Sequence, residues 1–506
     1  MKKMFCIFMC FIAVLSFVSC KQSEKTDENT TEPENQEEII ENGDEGETVK
    51  SRLILPYNEK DSLSPYEAKG QINIKLSTLI FDSLYSLDEK FMPTGVIAES
   101  EENDKLNLTV KLKSGVVFSD GSNLTASNVV NSFYSAKSSD TYSGLLENFS
   151  SATAVDNLTV RFTLLSEDRF AVNCLTFPIV ENSGDTFIGS GRYYLSSGEL
   201  KYNKNHVSGS KPKIKTISLC NIDDTSLLYQ KMQVGIISTA YNDLSDCKNE
   251  RLTAKAYNVS LNNLVFLGID NTNALLKDSN LRKAISMAIN KIAIVQKDFQ
   301  GFARETEAPF NTDWGEIGFE MKPGYNQSAA VQLLDDNGYK YPDSTARYRG
   351  NEKGKSLSFT LVVNKKNAFR LSAAESIKQS LSEIGIEIKI KSLSDKDYKE
   401  AIKSGKFDLY LGEIKLPENM NLSAFFSESG SAGVKIDKKL SCISAYKKML
   451  GGSGDIEKFV SQFQEDVPFI PLCFRDGVFI VSNALKENVN ATQTDLYLNI
   501  SKWQFK

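Results

Sequence analysis

The chain is short of the residues on which enzymes and metal sites most often depend. It contains one histidine, His206, and two tryptophans among 506 residues. His206 lies in the polar segment 201–213 without a flanking acidic pattern, so we predict a surface residue and not a general base. No Cys-x-x-Cys pair or Cys/His cluster is present, which argues against a metal site. The composition therefore favours a protein without catalytic or metal chemistry.

Two short motifs resemble parts of enzyme signatures, and both are incomplete. Ser208–Lys211 reads S-x-x-K, but it lies among Gly, Ser and Pro, and no S-D-N or K-T-G motif follows. Gly189-Ser190-Gly191 is a short turn and not the G-x-G-x-x-G of a dinucleotide site. We therefore predict no hydrolase site and no cofactor.

Charge is distributed unevenly along the chain. Segment 21–50 contains eleven acidic residues and three lysines, and its only sizeable apolar residues are Ile39, Ile40 and Val49. Such a segment cannot bury enough apolar surface to offset its ordering entropy, so we predict a disordered acidic tether. Residues 51–506 then have a formal net charge of zero. That balance argues against a nucleic-acid partner.

The N-terminus has the pattern of a secretory signal. Lys2 and Lys3 precede an apolar run over 4–18, and Ser19-Cys20 follows. A cysteine at this position indicates a lipobox, in which Cys20 becomes the lipidated mature N-terminus. The alternative is an uncleaved membrane anchor, but the run is shorter than the roughly 20 residues that span a bilayer. We predict an extracytoplasmic protein, lipid-anchored to the cell membrane.

Five cysteines remain after Cys20, an odd and widely spaced set. This is not the pattern of a disulfide framework, so we interpret them mostly as small core residues. One disulfide is the alternative. Trp314 and Trp503 are interpreted as packing residues.

Residues 51–506 exceed what one hydrophobic core usually organises, so two or more lobes are expected. The periodicity predicts strands over 357–363, 386–390 and 407–411. It predicts helices over 372–383 and near 396–403. Alternation of strands and helices implies crossover connections and an α/β lobe.

The segment 108–135 reads as strand, turn, short strand and helix. Val110 and Leu112 alternate with lysines, Asp120-Gly121 is a turn dipeptide, and Thr125 can cap a helix. The sequence of residues 116–130, VVFSDGSNLTASNVV, resembles the signature of family 5 extracellular solute-binding proteins, the binding subunits of ABC importers. Further segments resemble that family in the expected order, namely 80–93, 188–195, 281–290, 327–339 and 381–388.

The resemblance implies an α/β, two-lobe periplasmic-binding-protein-like fold of type II, cluster C, with an extra N-terminal subdomain and a hinge. Lobe I would span 51–265, with the subdomain inserted at about 76–180, and lobe II would span 266–465. The segment 466–506 would return to complete lobe I. The implied function is capture of short peptides between the lobes and their delivery to a membrane permease, by a monomer without enzymatic activity.

In peptide-binding relatives an aspartate in a W-x-x-D-Y-x-D/E-P-x-x-F-L stretch holds the ligand ammonium. The corresponding stretch is 407–426, which lacks the Trp and the Asp-Tyr pair. Alignment from Phe407 indicates Glu413, whereas alignment back from Phe426 indicates Glu418. We favour Glu413, because it directly follows a predicted strand and loops at strand ends line the cleft. Tyr410 of the same stretch is a further candidate.

Other candidates occupy regions that touch the ligand in peptide-binding relatives: Asn262, Asn263, Arg370, Tyr142 and Gln71. Two alternatives to peptide capture stay open. The same scaffold could hold a sugar on an aromatic platform, or a nickel chelate, which a single histidine disfavours. A ligand-sensing or adhesion lipoprotein without a transport role is the other alternative.

Overall fold

The computed structural model describes residues 52–506, except 184–185, 248–252, 322–323, 428–429, 431, 433–434 and 487–488. The predicted signal peptide, Cys20 and the acidic tether lie outside the described residues. In the part of the chain that is described, no helix has the length and apolar character needed to cross a membrane.

The described strands are β1 (Ile54–Tyr57), β2 (Tyr85–Leu87), β3 (Pro93–Gly95), β4 (Ala98–Asp104), β5 (Asn107–Leu112), β6 (Phe149–Asp156), β7 (Thr159–Leu164), β8 (Glu181–Ser183), β9 (Thr186–Ile188), β10 (Tyr193–Ser196), β11 (Glu199–Tyr202), β12 (Thr216–Asn221), β13 (Thr239–Asn242), β14 (Lys255–Ile269), β15 (Ala303–Glu305), β16 (Ser358–Asn364), β17 (Glu387–Leu393), β18 (Leu409–Lys415) and β19 (Phe469–Val481). The helices are α1 (Gln71–Ser77), α2 (Ala126–Lys137), α3 (Leu228–Gln233), α4 (Ser279–Ala288), α5 (Lys291–Asp298), α6 (Gln327–Asp336), α7 (Ala368–Glu383), α8 (Asp395–Lys403), α9 (Ser423–Phe426), α10 (Ser441–Leu450) and α11 (Ile456–Asp466).

The largest sheet has seven strands in the order β13-β19-β14-β18-β16-β17, with β15 on β19. Strand β16 is parallel to both β17 and β18, so the predicted crossover units are confirmed. Helix α7 begins earlier than the apolar pattern predicted, because the Asn367 side chain accepts from the Arg370 N–H and caps the helix there. Gly385, at φ +82°, follows the end of that helix in the left-handed conformation that glycine tolerates.

The seven-stranded sheet is covered on both faces, because its strands alternate apolar residues toward each side. Val265 and Leu267 of β14 belong to the core formed with α4 to α7. Phe266 of the same strand belongs to an aromatic core formed with α9 to α11. We call this sheet and its helices the second lobe.

Two four-stranded sheets organise the N-terminal half. The order β1-β12-β11-β10 packs with α1 and the C-terminal segment 489–503, and we call this body the first lobe. The order β4-β5-β7-β6 packs against α2 around its own core. The signature segment supplies β5 and α2, as predicted, and Asn128 Oδ1 accepts from the Thr125 N–H and hydroxyl at the start of α2.

Strands β14 and β19 run from one lobe into the other. Val259 and Leu261 lie in the first-lobe core, whereas Val265 onwards lies in the second lobe. The β14–β19 register shifts between Ser260 and Leu264. All thirteen residues of β19 are buried, and its Phe479 reaches the first-lobe core. The segment 466–506 therefore contributes one long strand, β19, that is shared by both lobes.

The five cysteines Cys174, Cys220, Cys247, Cys442 and Cys473 are all free. Three of them are buried, as expected of small core residues. Trp314 is 1% exposed in the second lobe and Trp503 is 4% exposed in the first, so both tryptophans are packing residues as predicted.

Candidate functional site

A cavity of about 670 Å³ lies between the two lobes. The first lobe lines it with α1 residues such as Lys75, the second with residues from the end of β18 to α9, and the loop 140–147 closes one side. Its volume is in the range of pockets that enclose small ligands. Since both lobes contribute polar groups, this cavity is the candidate ligand site.

Glu418 lies in the loop that follows β18 and faces the cavity. Hydrogen bonds to residues outside the loop hold its backbone in place. Leu416 N–H donates to the Asn262 carbonyl at 2.8 Å, and the Asn173 amide donates to the Glu418 carbonyl at 3.4 Å. Glu418 is only 7% exposed, and its Oε1 accepts from Gln493 Nε2 at 3.3 Å. Among the described residues, no lysine, arginine or histidine forms an ion pair with this carboxylate. A nearly buried carboxylate without an ion-pair partner destabilises the protein, unless a ligand supplies the cation.

Cationic side chains on the cavity wall differ in how far the protein neutralises them. Arg192 is fully engaged: it donates to Asp495 at 2.7 Å and to the Tyr497 carbonyl at 2.6 Å. Lys75 donates to the Gln493 carbonyl at 2.5 Å. Burial first, and then the positive charge of Lys415, lower the pKa of Lys75 to about 8, although Glu418 opposes the change.

The G-S-G turn positions Arg192. A Cβ atom on Gly191 would lie 2.4 Å from the carbonyl carbon of Ile80, and one on Gly189 would lie 2.0 Å from the Ile80 oxygen. Gly191 N–H donates to that oxygen at 2.9 Å. Only glycine permits this close approach of two backbones, which places the next residue at the cavity wall.

The prediction that His206 is a surface residue is wrong. Its imidazole is only 8% exposed and lines the cavity, with Nε2 at 3.3 Å from Asp82 Oδ2. The same carboxylate accepts from Ser190 Oγ at 3.2 Å, and His206 Nδ1 is 2.8 Å from Ser208 Oγ. The acidic partner follows α1, far from His206 in the chain, so the local sequence gave no sign of it.

Asp168 fastens the Glu418 loop to the N-terminal half. Asp168 is 1% exposed, and its Oδ2 accepts from the Asn419 amide at 2.7 Å. Its Oδ1 accepts from the Phe170 N–H at 2.9 Å. Burial raises the pKa of Asp168 to about 6, more than these hydrogen bonds lower it.

The raised pKa predicts a pH dependence of stability. The folded state holds the Asp168 proton more tightly than the unfolded chain, so this group's contribution is greatest at low pH and decreases as pH rises toward 6. Between about pH 4 and pH 6, we expect the free energy of unfolding of the wild type to fall by about 2 kcal/mol relative to that of Asp168→Asn. Urea unfolding of both proteins across this range measures the difference. Burial also raises the pKa of Asp476 to about 6. Asp476 is present in both proteins, so its effect cancels in the difference. A difference that does not vary with pH would contradict the prediction.

The structure brings two of the predicted ligand residues to the cavity, Glu418 and Tyr142. Tyr142 packs edge-on against Tyr66, with ring centroids 6.1 Å apart. Asn262 lies directly behind the wall: its N–H donates to Gln493 Oε1 at 2.7 Å. It therefore supports the cavity without lining it.

The other five predicted residues do not line the cavity. Glu413, which the sequence favoured, accepts from Arg475 Nε at 2.6 Å and from Asn263 Nδ2 at 3.0 Å. Strand alternation places Glu413 on the side of β18 opposite Ile414, which reaches the cavity. The remaining three lie elsewhere: the Tyr410 hydroxyl donates to the Ala432 carbonyl inside the aromatic core, Arg370 lies in the first turn of α7, and Gln71 is exposed at the start of α1.

Sequence reasoning missed Lys75, Lys415, Arg192 and Gln493 as cavity residues. Lys75 reads as the polar face of a short helix and Lys415 as the end of a strand. Nothing in their immediate neighbours distinguishes them from solvated lysines, because the feature that matters is which residues face them across the cavity.

Residues 93–433 match the sequence model of bacterial extracellular solute-binding proteins, family 5. The chain is 25% identical over 485 residues to the oligopeptide-binding protein AppA of Bacillus subtilis, covering 85% of this chain and 86% of AppA. It is 24% identical over 377 residues to the glutathione-binding protein GsiB of Pectobacterium atrosepticum, covering 68% and 70%. The unliganded open form of the periplasmic murein tripeptide binding protein MppA gives a TM-score of 0.75 at 16% identity, covering 90% and 97%.

Proposed function

Because the chain belongs to the family 5 extracellular solute-binding proteins, the non-enzymatic binding subunits of ABC importers, we propose that its solute is a short peptide. The mixed α/β fold is that of periplasmic binding proteins, as the sequence predicted. The two relatives by sequence, AppA and GsiB, are named for binding an oligopeptide and glutathione. Both ligands are peptidic, which favours this solute class over sugars.

One observation carries the proposal: in the part of the chain that the structure describes, no cationic side chain forms an ion pair with the cavity acid Glu418. Glu418 is 7% exposed, and its carboxylate accepts a hydrogen bond from the Gln493 amide. A peptide N-terminal ammonium is the cation that fits, because an ammonium–carboxylate hydrogen bond offsets the desolvation of both groups. We therefore assign to Glu418, and not to Glu413, the role of ammonium acceptor.

The cavity volume favours a short peptide over a long one. At about 670 Å³ it lies within the range of about 300–1,000 Å³ that is typical of pockets for small ligands. We propose peptides of about two to four residues, with side chains in hydrated space and the backbone groups hydrogen-bonded, since each unsatisfied group costs about 1–3 kcal/mol.

The anchor is part of the same proposal. Cys20 would be lipidated after removal of the signal peptide, and the acidic tether would hold the binding body away from the membrane. Bound peptide would then pass to membrane permease subunits of the importer.

Native mass spectrometry of the full chain purified from its own cells tests both parts. We expect a ladder of copurifying masses that sequence as short peptides after denaturation, and an intact mass showing loss of residues 1–19 and gain of lipid. A sugar or a nickel chelate in the released fraction would overturn the peptide assignment. Unmodified Met1 would overturn the anchor.

A further inference from the structure

Two loops of the N-terminal half reach the second lobe. One is the turn 88–92 between β2 and β3, and the other is the segment 167–174 that follows β7. Phe91 and Phe170, one from each loop, are buried in the aromatic core of the second lobe. The Phe170 ring lies edge-on to Trp314, with the ring centroids 4.9 Å apart. We call these two loops the latch.

Backbone hydrogen bonds join each loop of the latch to the second lobe. Arg169 N–H donates to the carbonyl of Leu450, the last residue of α10, at 2.9 Å. Gly315 N–H, in the second lobe, donates to the Lys90 carbonyl at 2.8 Å. Hydrogen bonds of this length require the two backbones to be in contact, so both break when the loops withdraw. The Arg169 and Gly315 N–H groups therefore report whether the latch is docked.

The latch also holds the loop that carries Glu418. The Asn173 amide donates to the Phe91 carbonyl at 2.8 Å and to the Glu418 carbonyl at 3.4 Å, so it links the two loops of the latch to each other and to the cavity wall. The Asn419 amide donates to Asp168 Oδ2 at 2.7 Å. The latch and this wall of the cavity are thus one connected set of contacts.

Two buried polar groups oppose docking of the latch. Asp168 is buried, and in the described part of the chain no cation forms an ion pair with it; its neighbour Arg169 pairs instead with Glu316 at 3.6 Å. Trp314 Nε1 is also buried, without a hydrogen-bond partner among the described residues. Release of the latch would bring water to both groups and so remove their desolvation penalty. Apolar packing favours the docked latch and polar desolvation opposes it, which makes the contact reversible.

The second lobe is joined to the first by strands β14 and β19, which run through both. The β2–β3 hairpin, whose turn belongs to the latch, lines the cavity with Tyr85 and Gly95, and the second lobe lines it from the end of β18 to α9. The docked latch therefore prevents the second lobe from moving away about those strands. We propose that release of the latch is the step that opens the cavity, so that its strength sets the fraction of ligand-free protein able to admit a solute. This goes beyond peptide capture, because it does not depend on the chemistry of the solute.

Hydrogen exchange of the ligand-free, full-length protein tests the proposal. A latch that opens by itself exchanges its N–H groups without unfolding of the lobes. Leu267 N–H, in the core of the second lobe on β14, is the reference for unfolding. We expect protection factors at Arg169 and Gly315 about 100-fold or more below that at Leu267. Mass spectrometry with fragmentation to single residues measures all three.

Substitution at one contact of the latch is measured at the other contact. Phe170→Ala removes a buried ring and is measured at Gly315 N–H. Gly315→Leu is measured at Arg169 N–H, because a Cβ atom on Gly315 would lie 2.8 Å from the Met92 side chain and leucine would displace the turn. We expect each variant to lower the measured protection factor about tenfold or more. Gly318→Leu is the matched control in the same loop, since a Cβ atom there meets open space, and it should change neither value.

Small-angle X-ray scattering of the same proteins measures separation of the lobes. We expect a larger radius of gyration in both latch variants than in wild type and Gly318→Leu. Equal protection at Arg169, Gly315 and Leu267 in wild type would overturn the latch as a separate opening unit, and so would an effect confined to the substituted contact. Lower protection without a larger radius would overturn its control of the cavity. Gly315→Leu leaves the aromatic core intact, so the test stands even if Phe170→Ala does not fold. No solute takes part, so a failure of peptide capture would leave this result unaffected.

Discussion

Replacement of Arg475 by methionine should destabilise the protein by about 3–5 kcal/mol, because it leaves a largely buried carboxylate without its cation. Arg475 lies in β19 and is 3% exposed, and its Nε donates to Glu413 Oε1 at 2.6 Å. A second guanidinium N–H donates to the Asp243 carbonyl. Methionine fills much of the same space but provides no donor, so Glu413 would keep only the Asn263 amide at 3.0 Å. The free energy of unfolding from urea titration measures the loss.

A double variant identifies the cause. Arg475→Met combined with Glu413→Gln removes both charges, and we expect it to recover a large part of the stability lost by the single change. Glu413→Gln alone should also destabilise, since it removes the carboxylate that forms the ion pair with the buried guanidinium. Equal destabilisation of the Arg475→Met single and the double variant would show that the ion pair is not the origin of the effect.

Glu418→Gln should weaken binding of free-amine tripeptides by roughly 30- to 150-fold, the equivalent of about 2–3 kcal/mol for a hydrogen bond to a charged group. The carboxylate is 7% exposed and lines the cavity, so water does not screen it from a bound ammonium. Glutamine has nearly the same shape and can still accept from Gln493, so the fold should be kept. Calorimetric titration near pH 7 gives the two affinities.

Glu413→Gln is the matched control, since it makes the same substitution in the same stretch of chain. Glu413 does not line the cavity, so peptide affinity should stay within a few-fold of wild type while stability falls. N-acetylated tripeptides, which lack the ammonium, should bind wild type and Glu418→Gln equally. Loss of affinity in Glu413→Gln with none in Glu418→Gln would reverse the assignment of the two acids.

The order of elements in the second lobe follows from local sequence patterns. Strand β16, helix α7, strand β17, helix α8 and strand β18 occur where periodicity predicted them, with ends displaced by a few residues. The end of a helix or strand is displaced from its predicted position where a cap or a strand partner extends the element beyond its apolar pattern. Asn367 extends α7 toward its N-terminus, and pairing with β14 carries β18 on to Lys415.

The candidate site was only partly predictable. Alignment of one stretch offered both Glu413 and Glu418. The premise that favoured Glu413, its place after a strand, is wrong, because β18 continues past it. Glu413 forms an ion pair with Arg475, which lies 62 residues away in the chain. Tyr142, which lines the cavity, was predicted from the layout of the family and not from local chemistry.

The sequence by itself determined the family, the alternation of helices and strands and the absence of catalytic motifs, because each is recorded within a few neighbouring residues. Tertiary structure alone decided which charges are neutralised. It paired Glu413 with Arg475, Arg192 with Asp495 and His206 with Asp82, and it left Glu418, Lys75 and Lys415 facing the cavity. The physical reason is that an ionic partner is set by distance in space and by burial, and strands such as β18 and β19 bring together residues that are remote in the chain.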